Sequence, residues 1–218
     1  MSRRALPSLD PASDLTSDLA WEAESNGRLT ALAGAILFVL LAALGLTIVG
    51  IHRLLGAHAF LGLLLLGPLA VKLGSTGWRF FRYYTGDPAY RRAGAPHPIL
   101  RVLAPFVVLT TLAVFGTGVA LLAVTPGRGS TLVTLHKVSF IVWFGLTAIH
   151  VLAYLPRAAV RTAADLAGRG PAAVLEHRIW RLAGLGLSLA VGLGLGIAGL
   201  SWIQPWAHWL AAGHRGDH

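Results

Sequence analysis

The chain lacks cysteine altogether and has few acidic residues. Asp and Glu together number 9 among its 218 residues, and none of them falls within its five long apolar stretches. The absence of cysteine excludes disulfides, thiolate metal sites, iron–sulfur clusters and covalent c-type haem attachment. The absence of carboxylates from the apolar stretches argues against a carrier of cations, because such sites ordinarily depend on acidic side chains.

The sequence is rich in long apolar stretches. Hydrophobic residues make up 55% of the chain and charged residues 12%, whereas a soluble domain carries about 25% charged residues. Five stretches have the roughly 20 residues that a helix needs to cross a hydrocarbon core of about 30 Å. They cover residues 29–51, 54–73, 102–124, 132–155 and 182–203. The sequence therefore predicts an all-α polytopic membrane protein, a bundle of about five transmembrane helices.

The basic residues divide unequally between the two ends of these predicted helices. If the helices alternate in direction, 14 of the 18 Lys and Arg residues lie on the side that holds the N-terminus. The positive-inside rule makes that side cytoplasmic, so we expect an inner-membrane protein with its C-terminus outside. The same distribution explains the net charge of +9 by contact with the lipid bilayer, without a nucleic-acid partner.

This topology divides the chain into five segments. They are a cytoplasmic N-terminal segment (1–28), a four-helix membrane core (29–155), a cytoplasmic link (156–181), a fifth transmembrane helix (182–203) and an outer tail (204–218). The link is amphipathic, and we expect it to lie along the membrane interface and to break at Gly170–Pro171. In the fifth helix, Gly192 and Gly196 are one turn apart, which indicates close helix packing.

Histidines inside the apolar stretches are the strongest functional signal. His58 lies near the outer end of the second helix, and His136 lies near the outer end of the fourth. His150 follows His136 by 14 residues, close to four turns, so the two rings share a face about 21 Å apart along the axis. The residue 14 positions after His58 is Lys72. Polar groups at membrane depth are costly and usually functional, so these four residues form the candidate site.

Histidines on facing helices are typical axial ligands of haem b, whose iron binds one imidazole on each face of the porphyrin. The spacing along the fourth helix suits two haems, one near each membrane surface. A macrocycle also needs small residues beside it. Those near the histidines are Gly62, Gly116, Gly118 and Gly145.

Three motifs carry a resemblance to a known family. They are His58 with Gly62, the stretch from Arg101 that ends Phe115-Gly116-Thr117-Gly118, and the run from Leu135-His136-Lys137 to Ile149-His150-Val151. The pattern resembles small bacterial membrane cytochromes of the cytochrome b561 and ferric-reductase-like type, over roughly residues 50–155. The resemblance implies a four-helix core that binds one or two haems b. It also implies electron transfer across the membrane between a quinone or quinol pool and a redox partner protein.

Carried onto this chain, the resemblance implies that His58 and His136 ligate the iron of an outer haem. His150 would supply one ligand of an inner haem, and Lys72 stands where its second ligand is expected. The Lys72 amine can bind iron only after it loses a proton. Alternatively, its long stem can snorkel to the headgroups or its charge can pair with a haem propionate. Arg79 and Arg82 could likewise neutralise propionates or simply belong to the positive-inside signal.

Two further hypotheses concern the kind of protein. The chain has no nucleotide, flavin or iron–sulfur motif, which favours an electron-transfer subunit of a larger oxidoreductase complex over a self-sufficient reductase. The alternative is a histidine-lined transporter or channel for protons or metal ions. Transporters usually show internal repeats with matched helix breaks, and here Pro68 and Pro105 have no matching partner.

Overall fold

The computed structural model describes residues 11–94 and 97–213, with side chains over 21–94 and 97–209. Seven α-helices and no strand occur within these ranges. In chain order they are α1 (Pro11–Val49), α2 (Ile51–Tyr84), α3 (Pro88–Arg92), α4 (Pro98–Leu122), α5 (Ser130–Leu166), α6 (Ala172–Glu176) and α7 (Arg178–Gly213). Five segments are long and apolar enough to cross a membrane, namely α1, α2, α4, α5 and the α6–α7 segment. The predicted all-α polytopic membrane fold is confirmed.

The helices are longer than the predicted spans. The link after residue 155 is helical as expected, but it continues α5 through Pro156 to Leu166 without a separate start. Strong helix formers follow that proline, and they carry the helix onward. The chain then turns through Gly168 and Gly170, whose φ angles are +63° and +144°, so the predicted break before Pro171 is present. Of the predicted terminal segments, residues 1–10 and 214–218 lie outside the described ranges.

Four of the long helices form a ring. Helix α1 packs against α2 and α5, and α4 packs against α5 and, less extensively, α2. Helices α2 and α5 stand diagonally across this ring, and their described backbones make almost no close contact. We call the end where α2 and α5 begin the histidine end, because His58 and His136 lie there, and the opposite end the arginine end.

Helix α7 lies outside the ring against α2, and glycines allow the two backbones to touch. A Cβ atom on Gly67 would lie 1.9 Å from the Ser188 carbonyl oxygen, and one on Gly192 would lie 2.1 Å from the Leu64 carbonyl oxygen. Neither position tolerates a side chain, because the opposing atoms belong to the backbone. The fifth transmembrane helix is thus a packing element, as its glycines predict.

A buried ionic cluster holds the arginine end together. Asp165 is 0% exposed, and one of its carboxylate oxygens accepts from Arg181 and, at 3.4 Å, from Arg28. Arg28 also donates to Glu24 at 3.1 Å. The cluster joins α1, α5 and α7. From the sequence, these arginines indicate only the topology. In the structure they are buried beside a carboxylate, and buried charges of both signs require direct pairing.

Candidate histidine site between α2 and α5

The structure brings His58 and His136 together across the ring. Their ring centroids are 6.4 Å apart, and the ring planes are nearly perpendicular, at 87°. Because the α2 and α5 backbones stay apart, the two side chains span the distance between the helices. Both residues lie at the histidine end, two turns or less into their helices, as their sequence positions predict.

Each histidine is held by a threonine on the preceding long helix. His58 Nδ1 lies 2.8 Å from the Thr47 hydroxyl on α1, and His136 Nδ1 lies 3.1 Å from the Thr117 hydroxyl on α4. Such outer partners fix the orientation and the tautomer of a metal-binding imidazole. Nothing in the sequence pattern points to Thr47, and Thr117 stands out only as part of the Phe115-Gly116-Thr117-Gly118 motif.

Each threonine hydroxyl also lies within hydrogen-bond distance of a carbonyl oxygen on its own helix, Thr47 of Leu44 and Thr117 of Ala113 at 2.7 Å. A hydroxyl has one proton and two lone pairs, so it can accept from an imidazole Nδ1–H group while it donates to the carbonyl oxygen. In a neutral imidazole that carries its proton on Nδ1, the Nε2 atom has the lone pair that binds metal.

The spacing of the rings suits one metal ion between them. An imidazole nitrogen lies about 1.2 Å from its ring centre, and metal–imidazole bonds are about 2.0 Å long, so rings on opposite sides of one ion have centroids about 6.4 Å apart. The observed separation is 6.4 Å. No group of three or more His, Cys, Asp or Glu side chains gathers within the described ranges. Two imidazoles alone are the number that haem iron requires, since the porphyrin fills its other four positions.

The predicted glycines differ in what surrounds them. Gly62 lies one turn after His58, and a Cβ there would meet nothing within 4 Å. A Cβ on Gly118 would lie 3.2 Å from His136 Cε1, so this glycine lets α4 approach the ring. Gly145, by contrast, follows His136 by two and a half turns and is exposed, so it faces away from the pair.

The other two predicted site residues lie nearer the arginine end and have separate partners. The Lys72 amine donates to the Thr30 carbonyl oxygen on α1 at 2.8 Å, so it points neither to the headgroups nor to an ion pair. His150 packs on Tyr154, with ring centroids 4.8 Å apart, and its Nδ1 is buried with no hydrogen-bond partner.

Two buried side chains lie at mid-depth, between the level of the histidine pair and the level of Lys72 and His150. Leu65 lies seven residues after His58, and Trp143 lies seven residues after His136, so each shares a face with its histidine about 10 Å along the axis. Leu65 is 0% exposed and Trp143 is 8% exposed. The Trp143 indole donates to the Thr111 hydroxyl at 2.9 Å. The heptad spacing of His136, Trp143 and His150 was the available signal for this residue.

The two arginines that were candidates for propionate contacts have different partners in the structure. Arg82 forms ion pairs with Glu22 at 3.4 Å and Asp87 at 2.5 Å, and it lies over the ring of Tyr90. Burial raises the pKa of the Tyr90 phenol, so that ring remains neutral beneath the guanidinium. Arg79 donates to the Gly94 carbonyl oxygen at 3.4 Å. Arg82 is therefore occupied away from the histidines.

Three other histidines have surroundings of their own. His177 stacks on Trp21 with ring centroids 4.3 Å apart, and His208 is exposed on α7. His52 is exposed at the start of α2. Comparison with family models, with curated proteins and with solved structures gave no match. The likeness to membrane cytochromes therefore rests on the motif residues themselves.

Proposed function

We propose that this chain is a membrane-embedded b-type cytochrome in which His58 and His136 are the axial ligands of a haem b. It passes electrons between a quinone pool and a redox partner protein, as an electron-transfer subunit of a larger complex in the inner membrane. The observation that carries the proposal is the pair of imidazoles, each within hydrogen-bond distance of a threonine hydroxyl through Nδ1, with ring centroids 6.4 Å apart.

The residues around the pair have roles that fit this function. When bound, haem b supplies one-electron chemistry at the iron. Thr47 and Thr117 keep the two imidazoles oriented, and Gly62 leaves space on the His58 face for the edge of a macrocycle. The surrounding helices exclude water, and the neutral imidazoles avoid placing charge at membrane depth.

The same geometry is less suited to a carrier of bare metal ions. Protein sites for such ions commonly use three or four side-chain ligands. The histidine pair offers two, and no third His, Cys, Asp or Glu lies near enough within the described ranges to form a ligand group. A haem site is complete with the two that are present.

The test is the optical spectrum of the full-length chain, produced in haem-replete cells and purified in detergent. We expect a red protein with a reduced-minus-oxidised spectrum of haem b, and loss of that spectrum in His58→Ala and His136→Ala. His208→Ala is the matched control, because His208 is exposed on α7, and it should retain the spectrum. A colourless wild-type protein would overturn the proposal.

The ring angle gives a second, independent readout. Axial imidazole planes at 87° leave two of the iron d orbitals nearly equal in energy. A low-spin ferric haem between them should therefore show a highly anisotropic electron paramagnetic resonance signal. The less anisotropic signal of parallel axial planes would contradict the assigned ligand geometry even if haem is present.

A further inference from the structure

A second haem position would need Lys72 and His150 as its ligands, since they occupy the same stripes as His58 and His136, 14 residues further along. An amine ligates iron only as a neutral group, with its lone pair directed at the metal. The Lys72 amine instead donates a hydrogen bond to the Thr30 carbonyl oxygen on α1. This contact directs the amine at a neighbouring backbone.

The surroundings of Lys72 are built for that contact. A Cβ on Gly34 would lie 3.1 Å from Lys72 Nζ, so the glycine makes room for the amine beside α1. One turn away, the Thr30 hydroxyl lies 2.9 Å from the Ser75 hydroxyl, and the Asn26 amide donates to the Ser75 carbonyl oxygen at 3.1 Å. Hydrogen bonds of this kind hold membrane helices together. We call Asn26, Thr30, Lys72 and Ser75 the polar clamp between α1 and α2.

His150, the other residue at the second haem position, also differs from its counterpart at the histidine end, His136. The His136 ring is oriented by Thr117 through Nδ1, whereas His150 Nδ1 has no hydrogen-bond partner. His150 instead packs against Tyr154 on its own helix. The device that prepares His58 and His136 for metal, a hydroxyl on the neighbouring helix, is thus missing at His150 among the described residues.

We propose that the chain binds one haem, between His58 and His136, and that Lys72 joins α1 to α2 at the place where a second haem would find its ligand. The inference rests on the proposed function. It decides between the one or two haems b that the family resemblance allows, because the residues at the second position do not fit a haem.

The experiment is the haem-to-protein ratio of the purified full-length chain, measured beside four variants. We expect one haem per chain in the wild type, in Lys72→Met and in His150→Ala, and none in His58→Ala or His136→Ala. In a protein with two haems, His136→Ala would keep one. Two haems in the wild type, or loss of haem from Lys72→Met, would overturn the inference, whereas a wild type without haem would instead overturn the proposed function.

Thermal unfolding distinguishes the clamp from a passive lysine. Lys72→Met keeps an unbranched side chain, shorter by one heavy atom, but removes the donor to Thr30, so its unfolding temperature should fall below that of the wild type. Lys137→Met is the control, because Lys137 is exposed on α5. Equal unfolding temperatures for both variants would show that Lys72 does not join the helices. If Lys72→Met does not fold, the wild-type ratio and His150→Ala still decide the number of haems.

Discussion

Helix α2 faces α7 and α5 in opposite ways. Towards α7, glycines remove the side chains, so the Gly67 and Gly192 backbones lie against carbonyl groups of the facing helix. Towards α5, the backbones stay apart, and the rings of His58 and His136 bridge the distance. Glycine has a different use on each side. At Gly192 it closes an interface, and at Gly62 it leaves room beside a ring.

The contrast shows what composition alone leaves undecided. A glycine-rich membrane helix is often interpreted as a packing helix, because small residues permit close approach and dispersion contacts. Gly62 has the same composition signal as Gly192, yet a Cβ there would meet nothing within 4 Å. The closed side should therefore respond to substitutions through stability, and the open side through haem binding.

The largest effect that we expect is at the arginine end, where α7 meets α1 and α5, from Asp165→Asn. The variant keeps the shape of the side chain but removes the charge that pairs buried Arg28 and Arg181. Breaking a buried ion pair by removing one partner costs about 3–5 kcal/mol. Thermal unfolding in detergent should show this loss, while Glu176→Gln, on an exposed residue of α6, should unfold like the wild type. Similar unfolding of the two variants would mean that the cluster contributes little.

A smaller effect should follow from Gly192→Val, which places a side chain against the Leu64 carbonyl oxygen. Overpacking typically costs about 1–3 kcal/mol, and the backbone on the facing helix cannot move aside as a flexible side chain would. The control is Gly194→Val, because a Cβ at Gly194 meets nothing within 4 Å. Their difference in unfolding temperature measures the α2–α7 contact, and no difference would contradict it.

The smallest effect should come from the open side, from Thr117→Val. The variant removes the hydroxyl that lies 3.1 Å from His136 Nδ1 and leaves both histidines in place. Loss of such a partner typically weakens metal binding by about 10–100-fold. Haem titration of the apoprotein should show the change, with Thr110→Val as the control, since that hydroxyl bonds only to carbonyl oxygens of its own helix. Equal affinities would mean that Thr117 does not orient the ligand.

Sequence periodicity predicted the parts of this molecule that depend on local order. Apolar length gave the five spans, and a separation of 14 residues placed His136 and His150 on one face of a helix, since both follow from fixed helical geometry. The direction of the Lys72 side chain did not follow in this way. It depends on Gly34 and Thr30 in another helix, and nothing in the local pattern around Lys72 selects them.

The arginine end shows the same limit. Arg28 and Asp165 are far apart in sequence. Each has other charged or polar residues near it along the chain, so its presence there suggests no distant partner. Only the packing of α1, α5 and α7 buries both and makes their pairing necessary. Gly145 is a different case. It follows His136 by two and a half turns, so the sequence numbering alone already places it on the opposite side of the helix.

The threonine contacts imply that the histidine site consists of two local halves. Thr47 and His58 belong to the hairpin of α1 and α2, and Thr117 and His136 belong to the hairpin of α4 and α5. Each hairpin therefore orients its own imidazole through a contact that does not involve the other hairpin. In the proposed cytochrome, a metal centre held by both imidazoles would link the two hairpins, so loss of the cofactor should loosen their association.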